Sequence, residues 1–220
     1  MHLKSDKELK TSSKKPEFEL LAPANNKNVA IQAIKAGADA VYMGYSKYGA
    51  RLQAGNSFED IIETVEFAHA YRAKVYITIN TILTDEELAN AVKLIWKLYN
   101  IKVDGVIIQD MGLLECDLPP IRLNASTQCH NNSLEKIKFL EKTGFSRVIL
   151  PREITLREIR EIKDNTDIQL ECFVHGALCV SYSGQCYMSA AIGGRSANRG
   201  ECAQPCRKKY SLKDADGKIL

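Results

Sequence analysis

Residues 171–206 read ECFVHGALCVSYSGQCYMSAAIGGRSANRGECAQPC and carry five of the chain's seven cysteines. Four of them, Cys179, Cys186, Cys202 and Cys206, sit among glycines and small polar residues rather than in an apolar run, unlike thiols that merely pack a core. Six residues separate the first pair, fifteen the second and three the third. Four thiolates complete a metal site. Zinc knuckles draw their ligands from close pairs, for which a gap of six is loose. An iron–sulfur cube accepts irregular spacing because each thiolate reaches a different iron. Spacing therefore favours a cluster and leaves zinc and unligated thiols as the alternatives.

The other candidate groups are weaker. Cys172 falls in the last apolar run and is expected to be a small buried hydrophobe. Cys129 follows a strand end, within reach of a pocket, although core packing is the ordinary role. His175, between Cys172 and Cys179, raises a Cys–His nucleophile, but nothing in the sequence supplies the orienting third group. Neither G-x-S-x-G nor H-E-x-x-H occurs, so a hydrolase is the weaker case. Arg195, Arg199, Arg207, Lys208 and Lys209 interleave with the cysteines. They suit nucleic-acid phosphates, an anionic cluster or a carboxylated small molecule equally well.

The scaffold that must present these groups is legible from Glu17 onward. Short apolar, β-branched runs at 18–22, 40–43, 75–79, 105–108, 121–124, 147–150 and 168–173 predict seven strands. Helical spacing of apolar residues predicts helices over 29–36, 58–70, 85–99, 111–116, 134–142 and 156–163. Thr84 with Glu87, and Thr155 with Glu158, form capping boxes at two helix starts. Strands alternating with helices imply parallel pairing, and the first strand lacks a G-x-G-x-x-G turn. The expected fold is α/β, a (β/α) TIM-like barrel over 17–175, incomplete at about seven strands. The cysteine-rich segment 176–210 follows it. Such barrels do their chemistry at the carboxyl ends of the strands, where Asn80, Arg152, Glu153 and His175 are expected to line a pocket.

The remaining composition sets limits. The chain has 220 residues, a formal net charge of +3 and 26% charged residues, too little charge imbalance to diagnose a nucleic-acid partner. No apolar run approaches the roughly 20 residues that span a bilayer, and a cytosolic protein with reduced thiols is expected. Residues 1–16 are lysine-rich without apolar periodicity and are expected to be a flexible basic tail. Residues 211–220 resemble the start of a hairpin turning at Asp216-Gly217. With one strand short of a barrel, this predicts a longer natural protein, or a partner protein that completes it.

The cysteine segment also resembles the peptidase U32 family, including its collagenase-like protease group. The family signature E-x-F-x-x-G-[SA]-[LIVM]-C-x(4)-G-x-C-x-[LIVM]-S is met at Glu171, Phe173, Gly176, Ala177, Leu178, Cys179, Gly184, Cys186, Met188 and Ser189. The resemblance extends through ELLAPA, AGADAVY, YGAR, the INT at Ile79 and ILPRE, and so spans 17–210. It implies an oxygen-independent hydroxylase carrying a [4Fe-4S] cluster. Relatives of this kind hydroxylate a tRNA uridine, a 23S rRNA cytidine or the ubiquinone ring, with prephenate implicated as oxygen source. By resemblance the ligands are Cys179, Cys186 and Cys202, with Cys206 as the fourth. The C-x-x-x-C pair resembles that of the RNA-modifying branch, which implies a tRNA or rRNA substrate. A collagenase-like peptidase and a non-catalytic RNA-binding module are the rival expectations.

Overall fold

The computed structural model describes residues 18–45 and 55–219. The expected basic tail and the YGAR stretch lie outside the described residues. Seven parallel strands form one sheet: β1 (Leu21–Ala24), β2 (Ala40–Tyr45), β4 (Lys74–Ile79), β5 (Gly105–Ile108), β6 (Leu123–Ala125), β7 (Arg147–Ile149) and β8 (Gln169–Glu171). Their order is β1-β2-β4-β5-β6-β7-β8, so each strand pairs with its neighbour in the chain. A two-residue strand that the sequence did not announce, β3 (Gly55–Asn56), pairs with the end of β2 at Gly44 and Tyr45.

Helices α1 (Lys27–Lys35), α2 (Phe58–Ala70), α3 (Asp85–Asn100), α4 (Leu134–Lys142) and α5 (Leu156–Asp164) supply the crossovers. Both expected capping boxes form, and a third joins Ser57 to Asp60 at the start of α2. The helix expected at 111–116 is instead a 3-10 turn over Met111–Glu115. Asp110 accepts the Gly112 N–H at 2.9 Å, tightening the backbone at its start, and Pro119 and Pro120 follow too soon for another helical turn.

Two faces of the sheet bury two different cores. Val75, Ile77 and Ile79 alternate with Lys74, Tyr76 and Thr78 along β4. The first set packs, with Val41, Met43, Val106, Ile108, Val148 and Leu150, against buried helix residues such as Ile61, Leu98 and Ile137. Each such side chain contributes about 1.5–3 kcal/mol by leaving water, so this outer layer dominates stability. The inner face holds a smaller apolar cluster of Ala40, Tyr76, Ile107 and Ile149, joined by Leu21, Tyr42 and Phe173. Gly105 makes room for the Tyr76 ring, since a Cβ there would stand 3.2 Å from Tyr76 Cδ1.

Curling is recorded directly by charge. Glu19 precedes β1 at one edge and Arg147 lies on β7 near the other, yet Arg147 Nη1 and Glu19 Oε1 are 2.7 Å apart. The result is a half-barrel whose edge strands β1 and β8 are less buried than the strands between them. The first strand begins at Leu21 rather than residue 18, because pairing with β2 starts at Leu21↔Ala40, and Phe18 is exposed. Pro23 is tolerated there because an edge strand leaves its missing N–H without consequence. The last strand ends at Glu171. Cys172 is therefore exposed and not the buried hydrophobe expected from its apolar neighbours. At the other end, Asp214 N–H bonds to Lys218 O at 3.0 Å and Lys213 bridges Ile219, closing the expected turn around Asp216-Gly217.

Candidate active site at the carboxyl ends of the strands

Beyond β8 the backbone folds back over the carboxyl ends of the central strands, fastened at three places. Ser183 donates from its N–H and hydroxyl to the two Glu153 carboxylate oxygens, at 2.7 and 3.0 Å. His130, in the left-handed region at φ 57°, places Nδ1 3.2 Å from Ser183 O and 4.0 Å from Glu153 Oε1. Next to these, Gly184 at φ +73° presses on the Gln128 backbone so closely that a Cβ would overlap the Gln128 carbonyl. Here glycine is required by both conformation and space.

Arg199 makes the third attachment. Its Nη1 donates to Ile82 O at 2.8 Å and to Glu87 Oε2 at 2.9 Å, while Nη2 donates to Glu87 Oε1 at 2.6 Å. Glu87 also caps α3 by accepting the Thr84 N–H at 2.9 Å. The Arg199 guanidinium, helped by that cap, holds the Glu87 carboxyl down at about 2, so it stays ionised in all but strongly acidic solution. The capping box legible in the sequence thus also moors the cysteine-bearing segment.

The expected pocket residues separate on inspection. Asn80 follows β4 and donates from Nδ2 to Ser126 Oγ at 3.2 Å. Arg152 places its Cζ 3.7 Å from the Phe173 ring centroid, a cation–π contact just beyond β7. Glu153 is occupied by Ser183. His175 is exposed, and among the described residues its ring has no hydrogen-bond or ion-pair partner. Asn80, Arg152 and Glu153 each follow the carboxyl end of a strand and each meets a different partner, whereas His175 lies on the docked segment.

The four candidate ligands all belong to this docked segment. Cys186 is half-buried and Cys179, Cys202 and Cys206 are exposed; all are free thiols. Bonds between side chain and backbone draw their neighbours together: Arg207 Nη2 donates to Leu178 O at 3.0 Å, and Ala203 N–H to the buried Ser189 hydroxyl at 2.9 Å. The Cys202 sulfur accepts the Gln204 N–H at 3.4 Å. Among the described residues, however, no three His, Cys, Asp or Glu side chains come close enough to hold one metal ion. The donor chemistry fits a thiolate-bound centre in which each sulfur reaches a separate iron. Cys129 is set apart by its surroundings: burial pushes its thiol up to about 12, and Sγ donates to Ile108 O and Gln109 O at 3.5 and 3.6 Å. It is a protonated packing group, as its ordinary role predicts.

A polar network that the sequence did not announce lies inside the sheet. Arg147 meets Glu19 at 2.7 Å and Glu171 at 3.3 Å, and its guanidinium stands 5.1 Å from the Tyr76 ring centroid. Lys74 donates to Glu19 at 2.6 Å. Burial works to raise the Glu19 pKa, but Arg147 and Lys74 outweigh it and hold the carboxyl below its ordinary value. Burial raises the Glu171 pKa, with Arg147 opposing. The available signal was alternation: Arg147 and Ile149 share one face of a strand, which turns a charge inward.

The sequence profile of peptidase family U32 matches residues 25–219. The 23S rRNA 5-hydroxycytidine synthase of Escherichia coli strain K12 is 55% identical over 203 residues, covering 92% of this chain and 31% of that protein. The tRNA hydroxylation protein P1 of Bacillus subtilis strain 168 is 40% identical over 209 residues, covering 93% of this chain and 49% of that protein. The chain thus spans half or less of the length of these relatives. The solved structure of the U32 peptidase Mk0906 shares the fold at a TM-score of 0.60 and 14% identity, over 78% of this chain and 72% of that one. The profile match over nearly all of the described chain, with these two relatives, shows that the protein belongs to peptidase family U32.

Proposed function

We propose that the protein is an iron–sulfur-dependent, oxygen-independent hydroxylase of a base in tRNA or rRNA, with prephenate or a related carboxylated metabolite as the source of oxygen. One observation carries the proposal. A four-cysteine segment is docked on the carboxyl ends of the strands in a chain 55% identical to a protein named as a 23S rRNA 5-hydroxycytidine synthase.

Cys179, Cys186, Cys202 and Cys206 are the proposed ligands of a [4Fe-4S] cluster, which when bound would supply electron transfer beside the strand ends. The chain's own side chains have separable tasks in this scheme. Glu153, His130 and Arg199 hold the segment in place. Because both Glu153 oxygens accept from Ser183, this carboxylate positions the loop. Asn80 offers its amide to a polar substrate, and the buried Ser126 hydroxyl, which accepts from Asn80 Nδ2, orients it. Lys208 and Lys209, both exposed, suit RNA phosphates.

Anaerobic purification followed by iron and sulfide analysis tests the cofactor assignment. About four irons and four sulfides per chain are expected, with the broad visible absorption of a cube, and alanine at all four cysteines should abolish both. A colourless, iron-free protein after reconstitution would refute it. Peptidolysis that survives removal of the four cysteines would point instead to a peptidase.

A further inference from the structure

We infer that the cavity enclosed by the loops after β4, β5 and β6 receives the base to be modified, with Gln109 accepting from its exocyclic amino group and Lys136 donating to its ring carbonyl. This rests on the function proposed above and narrows its substrate to cytosine among the pyrimidines.

Ile82, Gln109, Asp110, Gln128, Cys129 and Lys136 all line one cavity of about 260 Å³. Pockets for drug-sized ligands begin at about 300 Å³, so this one suits a single ring rather than a stacked pair. The docked segment grips the cavity wall at two of these residues. Arg199 donates to Ile82 O at 2.8 Å, the Ile82 N–H donates to Asn198 O at 3.4 Å, and Gly184 presses on the Gln128 backbone. The cysteine-bearing segment therefore borders the space that a ligand would fill.

Two polar groups of this wall are left for a ligand. Gln109 is 8% exposed, its Nε2 donates to Gln128 O at 3.3 Å, and its Oε1 accepts no hydrogen bond. The bond to Gln128 fixes which way the amide faces, so the group left over is an acceptor. A buried acceptor without a donor is costly, and a ligand N–H satisfies it. Lys136 is half-buried, and among the described residues its ammonium has no carboxylate within ion-pair distance; its neighbour is the Phe139 ring, with the centroid at 5.8 Å. The Asp110 oxygens instead accept the Leu83 and Gly112 N–H groups, at 2.8 and 2.9 Å. One acceptor and one donor around space for a single ring match the amino group and carbonyl of cytosine. Uracil carries a carbonyl in place of that amino group, which sets acceptor against acceptor at Gln109. A base stacked in a helix does not reach such a cavity, so its nucleotide must leave the stack to enter.

Equilibrium dialysis of the purified protein with cytidine, uridine and inorganic phosphate tests the assignment, since the two nucleosides differ only in the base. Wild type is expected to bind cytidine about 10-fold more tightly than uridine, with phosphate failing to displace it. Gln109→Met should abolish this preference, whereas Gln109→Glu, which keeps an acceptor, should retain it. Lys136→Met should weaken both nucleosides alike, because both carry the ring carbonyl. The melting temperatures of the variants report whether the fold is intact. Four results would each overturn the inference: equal binding of the two nucleosides by wild type, no binding of either in the millimolar range, a preference that survives Gln109→Met, or displacement of cytidine by phosphate at equal concentration. Neither RNA nor a cluster enters this readout. Any of these results in a protein whose cells still contain the hydroxylated nucleoside would therefore sink the inference alone. Gln109-dependent cytidine binding with no nucleoside changed by deletion of the gene would sink the proposed function instead.

Discussion

Replacing Gly184 with alanine is expected to release the cysteine-bearing segment from the half-barrel while leaving the sheet folded. Gly184 sits at φ +73°, where a side chain costs about 1–2 kcal/mol. The added Cβ would also overlap the Gln128 carbonyl. Both groups are backbone, so no rotamer relieves the clash and the segment must move. Movement breaks the two hydrogen bonds from Ser183 to Glu153, each worth about 1.5–3 kcal/mol as a bond to a charged group. The contact of Ser183 O with His130 is lost as well. Hydrogen exchange should show residues 176–206 exchanging faster by about 100-fold or more, while the amides of β4 and β5 stay protected. The variant should also retain less iron than wild type after identical anaerobic reconstitution. Unchanged exchange in the segment would show that this contact does not fasten it.

Arg147→Ala is expected to destabilise the whole fold by about 3–5 kcal/mol, because it strips the cation from two acids held inside the sheet. The size of the loss should depend on pH in a defined direction. In the wild type, Arg147 and Lys74 keep Glu19 below its ordinary value, so their contribution is fully present above about pH 4.5. It fades as the pH falls through the depressed value. Without Arg147, burial acts on Glu171 unopposed, while Glu19 keeps Lys74 and the Tyr76 hydroxyl. The folded variant then binds protons more readily than its unfolded chain, and its stability declines as pH rises through the elevated values. Urea unfolding at pH 5 and pH 8 should therefore show the larger deficit at pH 8. A deficit equal at both pH values would mean that Arg147 acts through packing alone.

The features legible in the sequence were those written in neighbouring residues. The Thr84–Glu87 and Thr155–Glu158 boxes, the strand at 105–108 and the Asp216-Gly217 turn each depend on residues a few positions apart. Local signals blurred at the sheet edges, where pairing rather than composition decides length. The first strand accordingly started later than its apolar run, and the last released Cys172 to solvent. The turn at Met111 looked helical because Met111 and Leu114 fall at helical spacing, but Asp110 and the two prolines left no room for a helix. Contacts joining distant parts of the chain were invisible. Nothing near Arg147 announces Glu19, and nothing near Gly184 announces Gln128. The four cysteines were conspicuous by type and spacing, whereas the residues that hold their segment against the sheet emerged only from the fold.

The most direct test of the proposed activity is mass spectrometry of tRNA and rRNA nucleosides from cells with and without the gene encoding this chain. Cells carrying the gene with alanine at Cys179, Cys186, Cys202 and Cys206 complete the comparison. A hydroxylated pyrimidine should be present with the wild-type gene and disappear both in the deletion and in the four-cysteine variant. Nucleoside profiles that are identical in all three strains would contradict it.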